Sequence, residues 1–355
     1  MKGFFAPREV LIMELATREL QVLTTIVENY IARAEPVGSR TVARESGLNL
    51  SAASMRNTMA DLTEKGYLEQ PHASAGRIPT AKAFRRYLDT ALHTTVLDDE
   101  QQRLIKTYLG GAGLEITDIL RQTSRLLSSL SRQVSMVLAP GIEDVRWMRI
   151  DFVQVRSGLI MSVLVLEGGL AQNKLIKVKE HIPQDDLVKF ANYLNHHFEG
   201  KTLFQVKEHI LRELRGTEKR LNKLYRRALI LAGETFEPDP ERDFFVDGAL
   251  NMLDQPEFSD LENIRELLHF LEERSRLLEL LSKSIGTKGI KITLGRETQC
   301  RDLKYCSVIS SPYGGRDQSL GVLGVMGPLR MDYSRVVPLV DFTARMLTKV
   351  LKNRF

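Results

Sequence analysis

Seven consecutive residues, Ser51-Ala-Ala-Ser-Met-Arg-Asn57, hold the side chains best suited to chemistry in this chain, and that chemistry is recognition. Arginine donates twice to the edge of guanine, and asparagine pairs bidentately with adenine. Arg56 and Asn57 supply those two forks, and Ala53 and Ser54 are small enough to let a helix sit deep in the major groove of DNA. Ser51 is the natural N-cap of that helix. Upstream, Ser39, Arg40 and Thr41 offer hydroxyls, a cation and backbone amides to phosphates, contacts that orient a protein without reading sequence. Downstream, the small polar loop from Pro71 to Gly76 leads directly to Arg77. His72, Ser74 and Arg77 suit a wing that lies along the backbone or dips a guanidinium into the minor groove.

These side chains need elements to present them. Residues 17–34 predict a helix with Thr17 as N-cap and Leu20, Leu23, Val27, Tyr30 and Ile31 at helical spacing. Pro36 ends it. Ser39 caps a second short helix that Gly47 terminates, and Ser51 caps a third that Gly66 ends. On the third helix Ala52, Met55, Met59 and Leu62 share one arc. Ala53, Ser54, Asn57 and Asp61 share the opposite one, with Arg56 at its flank. Residues 67–70 and 77–79 predict two strands of a ribbon, and Thr80 caps a helix bearing Phe84, Tyr87, Leu88 and Leu92. This order is that of a winged helix-turn-helix. The plain alternative is a three-helix core used for packing or protein contact.

The remaining chain, within a total of 355 residues, predicts one or two further domains. A helix over 98–109 meets a glycine-rich break at 110–113, a hinge candidate, and a second helix runs to Val134. Residues 145–155, 159–166 and 170–178 are strand-like, with turns at 156–158 and 167–169, and predict an antiparallel meander. A helix over 183–198 follows. Residues 201–285 are mostly helical, over 202–214, 217–232 and 261–284, with one strand in 243–251. Strand signals return at 290–294, 305–310 and 320–326, with a turn at Gly314-Gly315, and a helix closes the chain over 333–351. An α+β protein with a mixed sheet interrupted by a helical insertion is the expectation. Ile264, Leu267, Leu268, Leu271 and Leu278 give the helix near 261–281 more apolar surface than one core face needs, so a dimer interface is expected there.

Composition narrows the function classes. The net charge of +5 agrees with nucleic-acid binding, but residues 1–95 hold 12 Lys/Arg against 10 Asp/Glu, so any footprint comes from placement. No stretch approaches the ~18 apolar residues of a membrane span, and Met1–Leu15 lacks the apolar core of a signal peptide, which predicts a cytoplasmic protein. Cys300 and Cys306 form neither a disulfide framework nor a zinc site and are expected as small buried apolar side chains. Gly321, Gly324 and Gly327 lack the spacing of nucleotide loops. His196 and His197 have no third ligand at metal spacing. The apolar run Val145–Val178 is expected to be core and not a ligand pocket. Neither catalysis, metal nor cofactor is expected.

Three separated segments carry a specific resemblance. Glu35-Pro-Val-Gly-Ser-Arg-Thr41 through Met55-Arg-Asn57 to Tyr67–Thr80, then Asn251-Met-Leu-Asp-Gln-Pro-Glu-Phe258, then Leu320–Tyr333 resemble, in order, the HrcA family of heat-inducible transcription repressors. The resemblance covers roughly residues 17–350. It implies an N-terminal tail over 1–16, a winged-helix DNA-binding domain over 17–95 and linker helices over 96–140. It further implies a GAF-like domain over 141–200 and 286–352, and an inserted dimerisation domain over 201–285. In function it implies a dimer on an inverted-repeat operator of chaperone genes, released on heat shock, with the GroEL chaperonin as a partner that keeps the repressor active. The chain departs from the family pattern at Thr58, where an acidic residue is usual, and its counterparts begin near Met13. A small-molecule-responsive regulator, with the GAF-like domain as sensor, and a chaperone-associated scaffold are the alternatives.

Overall fold

The computed structural model describes residues 15–90, 96–113, 116–139, 145–167, 171–178, 181–215, 223–235, 244–258, 260–285, 287, 289–314 and 319–354. The expected tail up to Glu14 lies outside them. So do Leu92, the turn glycines Gly168, Gly169 and Gly315, and the domain boundaries placed at 95, 140 and 141.

Helix α1 (Thr17–Arg33) begins at the predicted residue but is capped one residue earlier: Ala16 is the N-cap, and Glu19 reaches back to accept from its N–H at 3.1 Å. Helix α2 (Ser39–Glu45) is preceded by Gly38, whose carbonyl accepts from Thr41 N–H and Val42 N–H, so Ser39 is the first helical residue and not the cap. Helix α3 (Ala52–Glu64) is capped as predicted, with Ser51 Oγ accepting from Ser54 N–H at 3.2 Å. Strands β1 (Leu68–Glu69) and β2 (Ile78–Pro79) pair antiparallel. Thr80 directly precedes helix α4 (Ala81–Thr90) and its carbonyl accepts from Phe84 N–H at 3.1 Å, while its hydroxyl donates to the carbonyls of Gly66 and Tyr67 and pins the end of α3 to the ribbon.

Beyond this head come α5 (Asp99–Gly110) and α6 (Ile116–Ser131). The chain then differs from the prediction. Arg132 takes a φ of 55° and ends the helix, and β3 (Val134–Leu138) begins two residues later. Its apolar residues extend the helical stripe of α6, so periodicity alone does not separate them. The meander follows as β4 (Trp147–Arg156), β5 (Leu159–Leu166) and β6 (Ala171–Lys177), with α7 (Gln184–Phe198), α8 (Leu203–Arg215) and α9 (Lys223–Thr235) after it. Next are β7 (Phe244–Asp247), α10 (Leu261–Glu272), α11 (Arg274–Ser282), β8 (Lys291–Leu294), β9 (Cys306–Gly314), β10 (Ser319–Pro328) and α12 (Tyr333–Arg354).

Strand pairing corrects the expected division of the chain. An α+β protein is observed, but not with one interrupted sheet. The meander forms its own three-stranded sheet, order β4-β5-β6, and a second sheet of five strands has the order β7-β3-β10-β9-β8, antiparallel throughout. The inner face of the meander packs on α7, α8 and α9 in a separate core around Trp147, Phe190 and Phe198. The five-stranded sheet carries α5, α6 and α12 on one face and α10 and α11 on the other. Residues 145–235 are therefore the self-contained insertion. β3, β7, α10 and α11, expected in the linker helices and in the insertion, belong with β8–β10. Strand partners more than a hundred residues apart, as β3 is from β7 and β10, leave no local mark, which is why the sequence misplaces them.

Gly321 on β10 shows why glycines recur in that strand. A Cβ there would lie 2.4 Å from Leu138 O and 2.5 Å from Tyr313 Oη, which donates to the same carbonyl at 2.7 Å. The glycine makes room for a buried tyrosine, not for a nucleotide.

Two of the three signature segments meet. Arg330 Nε donates to Glu257 Oε1 at 2.6 Å, and its terminal nitrogen donates to Gln255 Oε1 at 2.7 Å. Close by, the head docks on the five-stranded unit. Phe84 of α4 packs between Tyr30 and Tyr333, with ring centroids 6.4 and 6.3 Å away. Arg85 pairs with Glu297 and donates to Ile292 O at 2.8 Å.

Candidate nucleic-acid interface

The presentation of α3 follows from its two arcs. Met55, Met59 and Leu62 are buried against α1 and α2, and Ala52 is half-buried. Ala53, Arg56, Asn57 and Asp61 are exposed and Ser54 is half-exposed. Arg56 and Asn57 make no side-chain hydrogen bond or ion pair among the described residues, so their donors are available to a partner. Ser51 Oγ also donates to Ser54 Oγ at 3.2 Å, which closes the first turn of α3. α2 and α3 carry no acidic residue in their first turns. Ser39 and Thr41 are half-buried at the start of α2, and Arg40 is exposed beside them.

The turn between α2 and α3 is built by left-handed residues, Gly47 at φ 68° and Asn49 at φ 51°. Gln21 of α1 donates to Ser46 O at 2.8 Å and fixes the end of α2. Glu45 accepts from Arg44 at 3.0 Å and from Arg33 at 3.4 Å, and the Arg44 bond holds its carboxyl below the usual range. That carboxylate is thus neutralised on the rim of the basic face.

The ribbon is organised by residues whose types and spacing in the sequence do not single them out. Gln70 donates to Ala73 O at 2.9 Å and Ala75 O at 3.0 Å, which folds the loop on itself with His72, Ala73 and Ser74 exposed at its tip. Arg77 and Val37 exchange backbone hydrogen bonds of 2.9 Å in both directions. Gly76 is required for that approach, because a Cβ would lie 2.4 Å from Val37 O. The structure gives Arg77 a further use beside the one expected. Its Nε donates to Thr63 Oγ1 at 3.1 Å, so the guanidinium braces the ribbon against α3.

Arg18, in the first turn of α1, is a further residue that the sequence does not mark. One terminal nitrogen donates to Thr58 Oγ1 at 2.8 Å and to Ser54 O at 3.4 Å. Thr58 is buried, and its hydroxyl donates to Ser54 O at 3.2 Å. Arg18 is separated from α3 by the whole of α1 and α2, so spacing gives no hint of this contact.

The leucines expected at a dimer interface need correction. Leu267 is fully buried between α10 and the five-stranded sheet, and Ile264, Leu271 and Leu278 pack partly against the same core. Leu268 alone of the five is exposed, at 37%. An exposed apolar row is found elsewhere, on the outside of the meander, flanked by the Arg149–Asp151 ion pair. There Val153, Met161 and Leu175 stand in one cross-strand row, with Val163 and Val165 in the rows beside it. Val153 and Leu175 are 43% and 59% exposed.

Cys306 opens β9 and is buried, and burial pushes its thiol up to about 12, so it stays protonated. Cys300 is half-buried. His196 and His197 are exposed, with ring centroids 5.5 Å apart, and His197 stacks on Tyr193. No group of three or more His, Cys, Asp or Glu among the described residues is placed to hold a metal ion, and none of their helices is long and apolar enough to cross a membrane. A cleft of about 340 Å³ beside β7 is lined by Arg121, Arg125, Phe244, Phe245 and Leu271.

Comparison with known proteins adds an independent line. A family model described as the HrcA protein C-terminal domain matches residues 117–337. The heat-inducible transcription repressor HrcA of Nitratidesulfovibrio vulgaris strain Hildenborough is 48% identical over 350 residues, 96% of this chain and 98% of that one. The protein of the same name from Geobacter sulfurreducens is 40% identical over 340 residues, 96% of this chain and 99% of that one. Among solved structures, a crystal structure of a hypothetical protein at 2.2 Å is similar, with a TM-score of 0.64 and 25% identity, covering 96% of this chain and 100% of that one.

Proposed function

This chain belongs to the HrcA family of heat-inducible transcription repressors, and we propose that it represses heat-shock chaperone operons by binding an inverted-repeat operator as a homodimer in the cytoplasm. In this reading residues 17–90 are a winged helix-turn-helix and α3 is its recognition helix. Ala53, Ser54, Arg56 and Asn57 read bases. Ser39, Arg40, Thr41 and the tip residues His72 and Ser74 hold phosphates. The single observation that carries the reading is the unpaired, exposed fork of Arg56 beside Asn57 on a helix whose opposite arc is locked in a core.

One head makes a footprint too small to outcompete non-specific sites, and a two-fold pair doubles it. The outer face of the meander suits a second copy. Its row of Val153, Met161 and Leu175 is apolar, and the face belongs to the unit of residues 145–235 and can stack on its own symmetry mate. The five-stranded unit is read as GAF-like. Release on heat shock and support by the GroEL chaperonin are carried over from the family as part of the proposal.

The test is binding of the full chain to an inverted-repeat duplex and to a scrambled duplex at physiological salt. Arg56→Ala should weaken operator binding by on the order of 1–3 kcal/mol and relax preference at one base pair of each half-site. Parent-like affinity in that variant removes α3 as the reader.

A further inference from the structure

We propose that Arg18 is a further DNA-contacting residue, a phosphate-binding cation clamped beside the reading face by Thr58 and Ser54. The proposal rests on reading α3 as the recognition helix, and the experiment below separates the two.

Arg18 is exposed, yet it is not free to wander. Its terminal nitrogen is held by Thr58 Oγ1 at 2.8 Å and Ser54 O at 3.4 Å, and Thr58 is itself held to Ser54 O. Both acceptors are neutral. Arg18 forms no ion pair among the described residues, and its neighbour in sequence, Glu19, is engaged by Lys65 at 2.6 Å. A guanidinium carries five N–H donors in a fixed fork. The two bonds use one nitrogen, so Nε and the other terminal nitrogen keep their donors, and no carboxylate among the described residues pairs with the charge.

The position matches one kind of ligand. A helix in the ~12 Å major groove is flanked by phosphates, not bases, once its front face is seated. Thr58, at the edge of the packed arc of α3, and Ser54, at the edge of the open one, hold the fork on the flank of the helix beside α1. A rigid fork there faces the groove wall, where arginine binds phosphate bidentately. Pre-fixing the side chain reduces the rotamer freedom lost on binding. Thr58 is decisive for this. A carboxylate at that position would neutralise Arg18, whereas the hydroxyl orients it and leaves the charge for DNA.

The test measures full-chain affinity for operator and scrambled duplexes across a series of salt concentrations. For each phosphate that is no longer neutralised, the slope of log affinity against log salt becomes shallower by about 0.9. Arg18→Gln should show that change per protomer on both duplexes, with a roughly tenfold loss of affinity and an unchanged preference for operator. Thr58→Asp should reproduce the shallower slope with Arg18 still present, and Arg18→Lys should restore it. Thermal unfolding of each variant checks that the head is folded. An Arg18→Gln protein with the parent's slope overturns the proposal. So does one that loses affinity for operator alone, because that marks a residue that only positions α3. If the parent itself fails to prefer operator, the reading of α3 falls, but the slope on scrambled duplex still decides Arg18.

Discussion

Glu19 makes two bonds from one carboxylate, and each secures a different part of the head. One oxygen accepts from Ala16 N–H at 3.1 Å and caps α1, and the other accepts from Lys65 at 2.6 Å at the far end of α3. The Lys65 bond is the main reason its carboxyl is held below the ordinary 4.5. A lowered native value means that the stabilisation is complete above the unfolded value and is lost as pH falls through the native one. Glu19→Gln should therefore cost on the order of 1 kcal/mol at neutral pH. Urea unfolding of parent and variant should converge as the pH drops below 4.5, and a gap that persists unchanged into acid would disprove the assignment. Much at this scale is legible in the sequence. The packed and open arcs of α3 follow from the contrast between Met55, Met59, Leu62 and their neighbours, and Ser51 announces its cap. Arg18 and the bracing role of Arg77 are not legible, since each depends on a partner brought close only by the fold.

Short elements depend on backbone contacts that side-chain patterns hide. The ribbon β1–β2 has two residues in each strand and is held to the entrance of α2 through the Val37–Arg77 exchange. Gly76→Ala should break that exchange and destabilise the head by about 2–3 kcal/mol. Amide exchange at Val37 and Arg77 is the direct measurement, and protection at parent levels would contradict it. Element types and most boundaries can be read from periodicity and from glycine and proline. Two features cannot. β3 continues the apolar stripe of α6, and the predicted helix over 261–284 is broken at Glu273, whose ψ of 79° separates α10 from α11 without a proline or glycine to signal it.

At the scale of the whole molecule, pairing of distant strands decides which segments share a unit, and local patterning puts the meander in the wrong one. In the proposed dimer the interface falls on the open face of the meander. Leu175→Glu, on the open face of the meander, should convert the dimer to monomer in sedimentation equilibrium while leaving the fold intact. Leu267→Ala should instead cost about 3 kcal/mol of stability and leave the association state unchanged, as deletion of a buried core leucine does. A Leu175→Glu protein that remains dimeric rules out this face. The dock of α4 on the five-stranded unit has a further consequence. Because Phe84 and Arg85 seat the head on Tyr333, Ile292 and Glu297, its orientation is dictated by residues more than 200 positions downstream. The alphabet and the ruler of such a repressor are then written in different parts of the chain. An exchange of N-terminal heads between relatives would transfer the letters being read, while the distance between the two words would stay with the body that received them.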